Sequence, residues 1–218
     1  MSEPEYLAAL VRCSDAARTC YKSESKGFED DIRRIKQCIT VGHESVLEHY
    51  SLSVRFICDR GISHEIVRHR LASFSQESTR YANYSKDKFG NEITLIRPCF
   101  WNKDSTQYGL WEVAMRLAEN TYLAMLENGA KPEQARSVLP NSLKTEIVVT
   151  ANIREWRHIL KLRTAQAAHP QIRELMVPLL FDFQKRMPVF FEDIKIKGVQ
   201  RGKENEENKV AKTNSQML

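Results

Sequence analysis

Apolar positions along this chain recur mostly at helical spacing, and at strand spacing in three places. Leu7, Leu10, Val11, Ala17 and Tyr21 form one stripe, which predicts an opening helix over 4–21 with Pro4 in its first turn. After a polar turn over 22–27, Phe28, Ile32, Ile35 and Ile39 predict a second helix, capped near Gly42. Tyr50, Leu52, Val54, Phe56 and Cys58 then alternate with Ser51, Ser53, Arg55, Ile57 and Asp59, the pattern of a strand with one buried face. Asp59-Arg60-Gly61 reads as a turn. Ser63 reads as the cap of a short helix holding Ile66, Val67 and Leu71, with Arg68-His69-Arg70 in its last part. The chain beyond it reads as irregular to Tyr81, with a polar turn over 86–91 and a short strand over 93–96 that Pro98 stops.

Trp111, Met115, Ala118, Tyr122, Met125 and Leu126 mark the longest helix, over 108–128, with Gly129 as its stop. Pro132 and Glu133 open another, which holds Ala135, Arg136 and Leu139 and ends at Pro140. Thr145, Ile147, Val149 and Ala151 make the second long strand. Asn152 suits the N-cap of a helix running through Trp156, Ile159 and Leu160 to Arg163. Ile172, Leu175, Met176, Leu179, Leu180 and Phe183 make the last long helix, with a kink expected at Pro178. Few strands separated by helices predict an α+β fold, with long helices on a small antiparallel or mixed sheet. No repeat or linker interrupts residues 1–200, so one domain is expected there. Residues 201–218 are polar and read as a disordered tail.

Composition narrows the class. The 218 residues are 42% hydrophobic and 28% charged, a soluble balance, and no run approaches the ~20 apolar residues of a membrane span. The acidic start lacks a secretory signal, so a cytoplasmic protein is expected. Five scattered Cys without a CxxC pair point to reduced thiols rather than a disulfide frame or a zinc site. The net charge of +5 favours anionic partners without choosing between nucleotides and nucleic acid.

Candidate chemistry gathers in the stretch 68–81. Arg68, His69, Arg70, Ser73, Ser75, Gln76, Glu77, Ser78, Thr79, Arg80 and Tyr81 give it little to bury and many donors, which suits a phosphorylated ligand. A solvated loop with a chance charge cluster is the alternative. The eight Gly form neither GxG nor GxxxxGK, so any dinucleotide here is held by side chains rather than by a Gly-rich turn. A second polar group lies at Asn152, Arg154, His158 and Arg163, with Arg154 and His158 four apart on one helical face. His43 and His49, six apart, fit no standard zinc spacing, and no metal is expected. Ser78 has no elbow motif and no base placed for it by spacing, and Cys99 has no neighbouring His.

Four ordered segments carry a resemblance. Arg68-His69-Arg70 with Ser78 resembles the RHRxxxxxxxS signature of the flavin-dependent thymidylate synthases. Gly42-His43-Glu44-Ser45 with Glu48-His49, Ala135-Arg136 with Leu139-Pro140, and Asn152-Ile153-Arg154-Glu155-Trp156 with Leu162-Arg163 resemble three further segments of that family. The resemblance covers roughly residues 8–195. It implies formation of dTMP from dUMP with FAD, NADPH and 5,10-methylenetetrahydrofolate, without a protein nucleophile, in a homotetramer whose sites lie at subunit interfaces. Carried over position by position, it implies FAD contacts from Ser45, Arg68, His69, Arg70, Gln76, Asn152, Arg154 and His158. It implies dUMP contacts from Glu65, Arg68, Gln76, Glu77, Ser78, Thr79 and Arg80, with Arg136 coming from another subunit. Arg163 would face the pyrimidine and favour charge at N3. Two departures stand out: His158 occupies a position where the family often has Asn, and the chain opens almost directly at the first helix, where members usually carry a strand before it.

This resemblance predicts an enzyme that binds neither nucleic acid nor membrane. The competing readings are a basic nucleic-acid-binding module and a family-shaped flavin binder without turnover.

Overall fold

A strand that runs without a loop into a helix sits at the centre of the computed structural model, which describes residues 3–20, 22–82, 84 and 92–196. This strand, β3 (Lys144–Asn152), pairs antiparallel on one side with β1 (Ser51–Asp59) and on the other with β2 (Ala72–Gln76), giving the order β1-β3-β2. The register sets Ser51 opposite Asn152 and Ala72 opposite Ala151. Three chain segments therefore meet where β3 ends: the one entering β1, the one entering β2, and the helix α6 (Ile153–Arg163) that leaves β3. Every second residue of β3 is buried, so its alternation faces one side into the core.

The α+β class is as expected. Around the sheet lie α1 (Glu3–Thr19), α2 (Phe28–Thr40), α3 (Arg60–Ile66), α4 (Thr106–Glu127), α5 (Pro132–Ala135), α7 (Pro170–Arg186) and α8 (Pro188–Phe191), with 3-10 turns over Glu44–His49 and Arg136–Val138. The main core joins α1, α2, the sheet, α6 and α7 around Leu10, Ile35, Leu47, Ile147, Trp156 and Phe190. A satellite core packs α4 through Tyr122 against Tyr84, Ile93, Ala135 and Leu143. Leu110, Val113 and Leu117 remain exposed on the other side of α4.

Several elements differ from the sequence pattern, each for a physical reason. The expected turn at Asp59 is the start of α3. The Asp59 carboxylate accepts the Ile62 N–H at 2.7 Å and caps the helix, while Ser63 lies inside it, its hydroxyl donating to the Arg60 carbonyl. The helix ends at Ile66, so Arg68, His69 and Arg70 lie just beyond it. The stretch after them is not irregular: residues 72–76 form the edge strand β2, only half-buried and therefore weakly patterned. The strand expected over 93–96 reduces to one bridge between Leu95 and Leu143. The helix opened by Pro132 tightens into a 3-10 turn at Arg136. In α1 the inward positions are Ala9, Leu10, Cys13 and Ala17, and Leu7 and Val11 face solvent; Phe28 is exposed too. The inward face of α1 also carries Ser14 and Arg18. Ser14 donates to Asp31 at 2.7 Å, and Arg18 donates to Ser14 and reaches both Asp30 and Asp31. All five Cys are free thiols, as expected. The proposed features at Tyr21, 86–91 and 201–218 lie outside the described residues.

Arg157 ties α6 to the rest of this frame. It is 1% exposed, donates to both carboxylate oxygens of Asp193 at 2.7 Å and to Glu44 at 3.1 Å, and also bonds the Phe190 carbonyl. A buried guanidinium is tolerated because its donors are met on several sides, and removing it strands the acids it served. Arg157→Met should cost about 3 kcal/mol. A lowered urea midpoint with an unchanged slope would check this; an unchanged midpoint would contradict it.

Candidate active site

The antiparallel register builds the site. Because Ala72 pairs with Ala151, the Arg68-His69-Arg70 turn lies beside the joint between β3 and α6. Because Ser51 pairs with Asn152, the turn that carries Ser45 lies at the same end. Asn152 is the last residue of β3, and its side-chain oxygen accepts the Glu155 N–H at 2.8 Å, capping α6.

α6 carries Arg163 to its far end, where the side chain closes an array. Arg163 Nε donates to His69 Nε2 at 2.9 Å. Its two terminal nitrogens donate to Glu65 Oε2 at 2.8 Å and to the Glu65 carbonyl at 3.1 Å. A guanidinium only donates, so His69 Nε2 must present a lone pair. The imidazole is then neutral, with its proton on Nδ1. That nitrogen faces Glu155 Oε1 at 3.5 Å, and the His158 ring stands edge-on to His69 at 5.9 Å between centroids.

The electrostatics agree with this assignment. Burial, then the Arg163 charge, then His158 hold the His69 pKa down at about 4. Burial pushes the Glu155 carboxyl up, with His158 opposing it. The His69–Glu155 contact is thus a neutral imidazole beside a buried acid, not an ion pair.

His69, Glu155 and His158 also place three ligand-type atoms within 4.8 Å of one another. A cation there would sit beside the Arg163 guanidinium, which already donates to one of those nitrogens, so the group reads as part of the Arg163 cluster rather than a metal centre. His43, just before the Glu44–His49 turn, and His49, at its end, are exposed and take no part in it.

The other expected residues are distributed along the sheet. Arg68 and Arg70 are exposed, and neither pairs with an acid among the described residues. Ser45 and His158 are exposed at the same end, as is Arg154, which pairs with Glu48. This donor set suits an anionic dinucleotide: two guanidinium groups without an acid partner among the described residues, a hydroxyl and an amide at one end of the sheet.

Gln76 to Arg80 lie toward the opposite end. Gln76 ends β2 opposite Ile147, whereas the strand begins next to the Arg68-His69-Arg70 turn, opposite Ala151. The Gln76 amide nitrogen is engaged inside, by Ser63 at 2.8 Å and Thr145 at 3.2 Å, and Thr79 is buried. Glu77 accepts from Tyr84 at 3.4 Å, and the Ser78 hydroxyl oxygen accepts the Arg80 N–H at 3.3 Å. Arg80 and Arg136 are exposed. One chain therefore joins Glu65, His69 and Arg163 by hydrogen bonds, with His158 beside them, and among the described residues none of these bonds reaches Gln76 to Arg80 or Arg136.

The sequence profile described as thymidylate synthase complementing protein matches residues 5–189. The chain belongs to that family. A relative named flavin-dependent thymidylate synthase from Geobacter sulfurreducens is 35% identical over 199 residues, covering 88% of this chain and 82% of its own. One of the same name from Pyrococcus abyssi is 36% identical over 182 residues, covering 82% and 72%. Another, from Mycobacterium sp. (strain KMS), is 34% identical over 218 residues, covering 89% and 83%. The span shared with the thymidylate synthase complementing family holds the whole array. Two residues of that span, Glu155 and Arg157, were not singled out from the sequence. Both look like ordinary charges on an amphipathic helix, and only the packing shows that they point inward.

His69 gives the site a pH signature. Its folded pKa of about 4 lies below its ordinary value of 6.5, so the folded state resists protonation. The stability it contributes is complete above pH 6.5 and is lost as the pH falls through about 4, a change of roughly 3 kcal/mol. The groups facing it are Arg163, His158 and Glu155 on α6 and Glu65 on α3. His69→Gln should flatten the fall in unfolding free energy over that window. Parallel slopes for the two proteins in urea titrations at stepped pH would rule this out.

Proposed function

We propose that this chain catalyses reductive methylation of dUMP to dTMP, with FAD as cofactor, 5,10-methylenetetrahydrofolate as carbon donor and NADPH as reductant, in the cytoplasm. Family membership supports the reaction. The observation that carries the mechanism is the Arg163 array, a guanidinium held by His69 and Glu65 through only part of its N–H groups. Three of its five N–H groups are used by His69 and Glu65, leaving two for a ligand.

In this reading the opening at the end of the sheet takes FAD. Arg68 and Arg70 would meet its phosphates, with Ser45, His69, Asn152, Arg154 and His158 around them, and Gln76, at the other end of β2, would meet FAD from a neighbouring subunit. Bound FAD supplies the redox chemistry that no side chain of this protein can perform. The chain's own residues do the rest. Arg163, with Arg68 and Glu65 beside it, would receive the uracil edge of dUMP. Glu77, Ser78, Thr79 and Arg80 would wrap the nucleotide, and Arg136 would bind its phosphate side.

Methylation needs C5 of the uracil to act as a nucleophile, which requires negative charge on N3 and its flanking carbonyl oxygens. A planar, permanently protonated fork lowers the cost of that charge, most of all where it develops in the transition state. No protein nucleophile is needed. The Ser78 hydroxyl is engaged in a local turn, and burial pushes the Cys13 and Cys58 thiols up to about 12.

Arg163→Ala should keep its flavin and its reduction by NADPH while losing dTMP formation by about 10²–10³, or roughly 3–4 kcal/mol. Arg163→Lys should recover little, because a point charge does not replace a fork. Near-normal turnover of Arg163→Ala at saturating dUMP would remove the catalytic assignment.

That no hydrogen bond among the described residues links Arg163 and its partners to Gln76 to Arg80 or Arg136 supports a homotetramer with sites shared across interfaces. Arg136→Ala and Arg163→Ala, each nearly inactive alone, should then complement. Equal amounts, dissociated and reassembled, should regain about a quarter of the parent activity by random mixing. A mixture no more active than its components would exclude shared sites.

A further inference from the structure

We propose that Glu155 is a positioning residue: it holds His69 as the Nδ1–H tautomer, and so keeps Nε2 free to anchor Arg163. This rests on the reading of Arg163 as the group that meets the uracil. Glu155 itself touches neither ligand in that reading and acts through two intervening side chains.

Placement is the first argument. Glu155 is the third residue of α6, between Arg154 and Arg157, yet it joins neither. Arg154 pairs outward with Glu48, and Arg157 pairs with Glu44 and Asp193. The Glu155 side chain is 7% exposed and turned toward the two imidazoles, with Oε1 3.5 Å from His69 Nδ1. Burying a carboxylate without a cationic partner is costly, so packing alone is a poor reason for an acid there. An apolar side chain of the same length would fill the space more favourably.

Chemistry is the second. A neutral imidazole donates from one nitrogen and accepts at the other, and the partner of the first decides which is which. The Glu155 oxygen stands 3.5 Å from Nδ1, beyond a direct hydrogen bond, but its partial negative charge there favours the proton on Nδ1, which leaves Nε2 the lone pair that Arg163 Nε needs. Without it, the ring loses the preference for that tautomer. In the other tautomer Nε2–H confronts Arg163 Nε–H, two donors at 2.9 Å, and the guanidinium loses its inner anchor. Glu65 would still hold the outer side, so Arg163 would remain near its place while turning more freely about its own chain. Loss of such an orienting partner typically costs on the order of 10–100-fold in activity.

The test uses Glu155→Met, which keeps length and helix propensity but removes the acceptor, and Glu155→Gln, whose amide oxygen restores one. In the parent protein, nitrogen NMR of selectively labelled histidine should show His69 with its proton on Nδ1 at neutral pH. That reading needs neither ligand nor turnover. In Glu155→Met this single-tautomer signature should be lost. The full-length enzyme should bind flavin and accept electrons from NADPH as before, with kcat for dTMP formation down about tenfold or more and KM for dUMP moved much less. Glu155→Gln should recover most of the lost kcat together with the Nδ1–H signature.

The proposal is overturned if parent His69 is protonated on Nε2. It is equally overturned if Glu155→Met keeps the tautomer, or keeps kcat within twofold while Arg163→Ala has lost it. Should Arg163→Ala itself turn over normally, the fault lies with the reading of Arg163. The tautomer measurement still judges the Glu155–His69 contact separately.

Discussion

Pairing to β3 is the constraint on which the rest of this structure depends. Both neighbours of that strand run against it, and their register with Ala151 and Asn152 decides what surrounds the start of α6. A slip of one residue would turn every buried side chain of β3 to the wrong face, so burial of Ile147, Val149 and Ala151 also enforces the site. The Arg68-His69-Arg70 turn owes its place to this register more than to any contact of its own. Its two arginines need no ion pair among the described residues, because the strand after them does the positioning.

Desolvation does the second part of the work. His69, Glu155 and Arg157 are all buried on or against one short helix, and each meets burial differently. Arg157 keeps its charge because acids and a carbonyl surround it. His69 stays neutral, with Arg163 beside it favouring the uncharged ring. Glu155 is drawn toward its protonated form by burial. Arg163, less buried than these, is left as the fixed charge facing outward, at 17% side-chain exposure.

Much of this was legible beforehand because local chemistry announces it. Asn152 before an amphipathic run is a cap wherever the helix packs, and the alternation across Thr145 to Ala151 shows a half-buried strand. The residues that resemble a known family pointed to that family as well. What escaped has a common cause. β2 is an edge strand with Ser73 and Ser75 outward and only Ala72 and Phe74 to mark the inner face, too little contrast to reveal a period. α1 turns Ser14 and Arg18 inward because Asp30 and Asp31 of α2 satisfy them, and a search for apolar stripes sees only the leucine and valine left outside. Glu155 and Arg157 escaped for the same reason. A buried charge is recognisable only once its partners, 86 and 36 residues away in the chain, are known.

The direct passage of β3 into α6 has a mechanical meaning. With no loop at Asn152, the helix is a stiff arm clamped at its root, and its 11 residues extend for roughly 16 Å. A tilt of only about 4° at the clamp would swing the tip by about 1 Å, enough misalignment to cost a reaction much of its rate. The cap at the root and the Arg157 tether part-way along therefore act as the mount and strut of an instrument whose accuracy is needed at the other end. Loosening either would blur the position of the Arg163 guanidinium without removing any of its own partners.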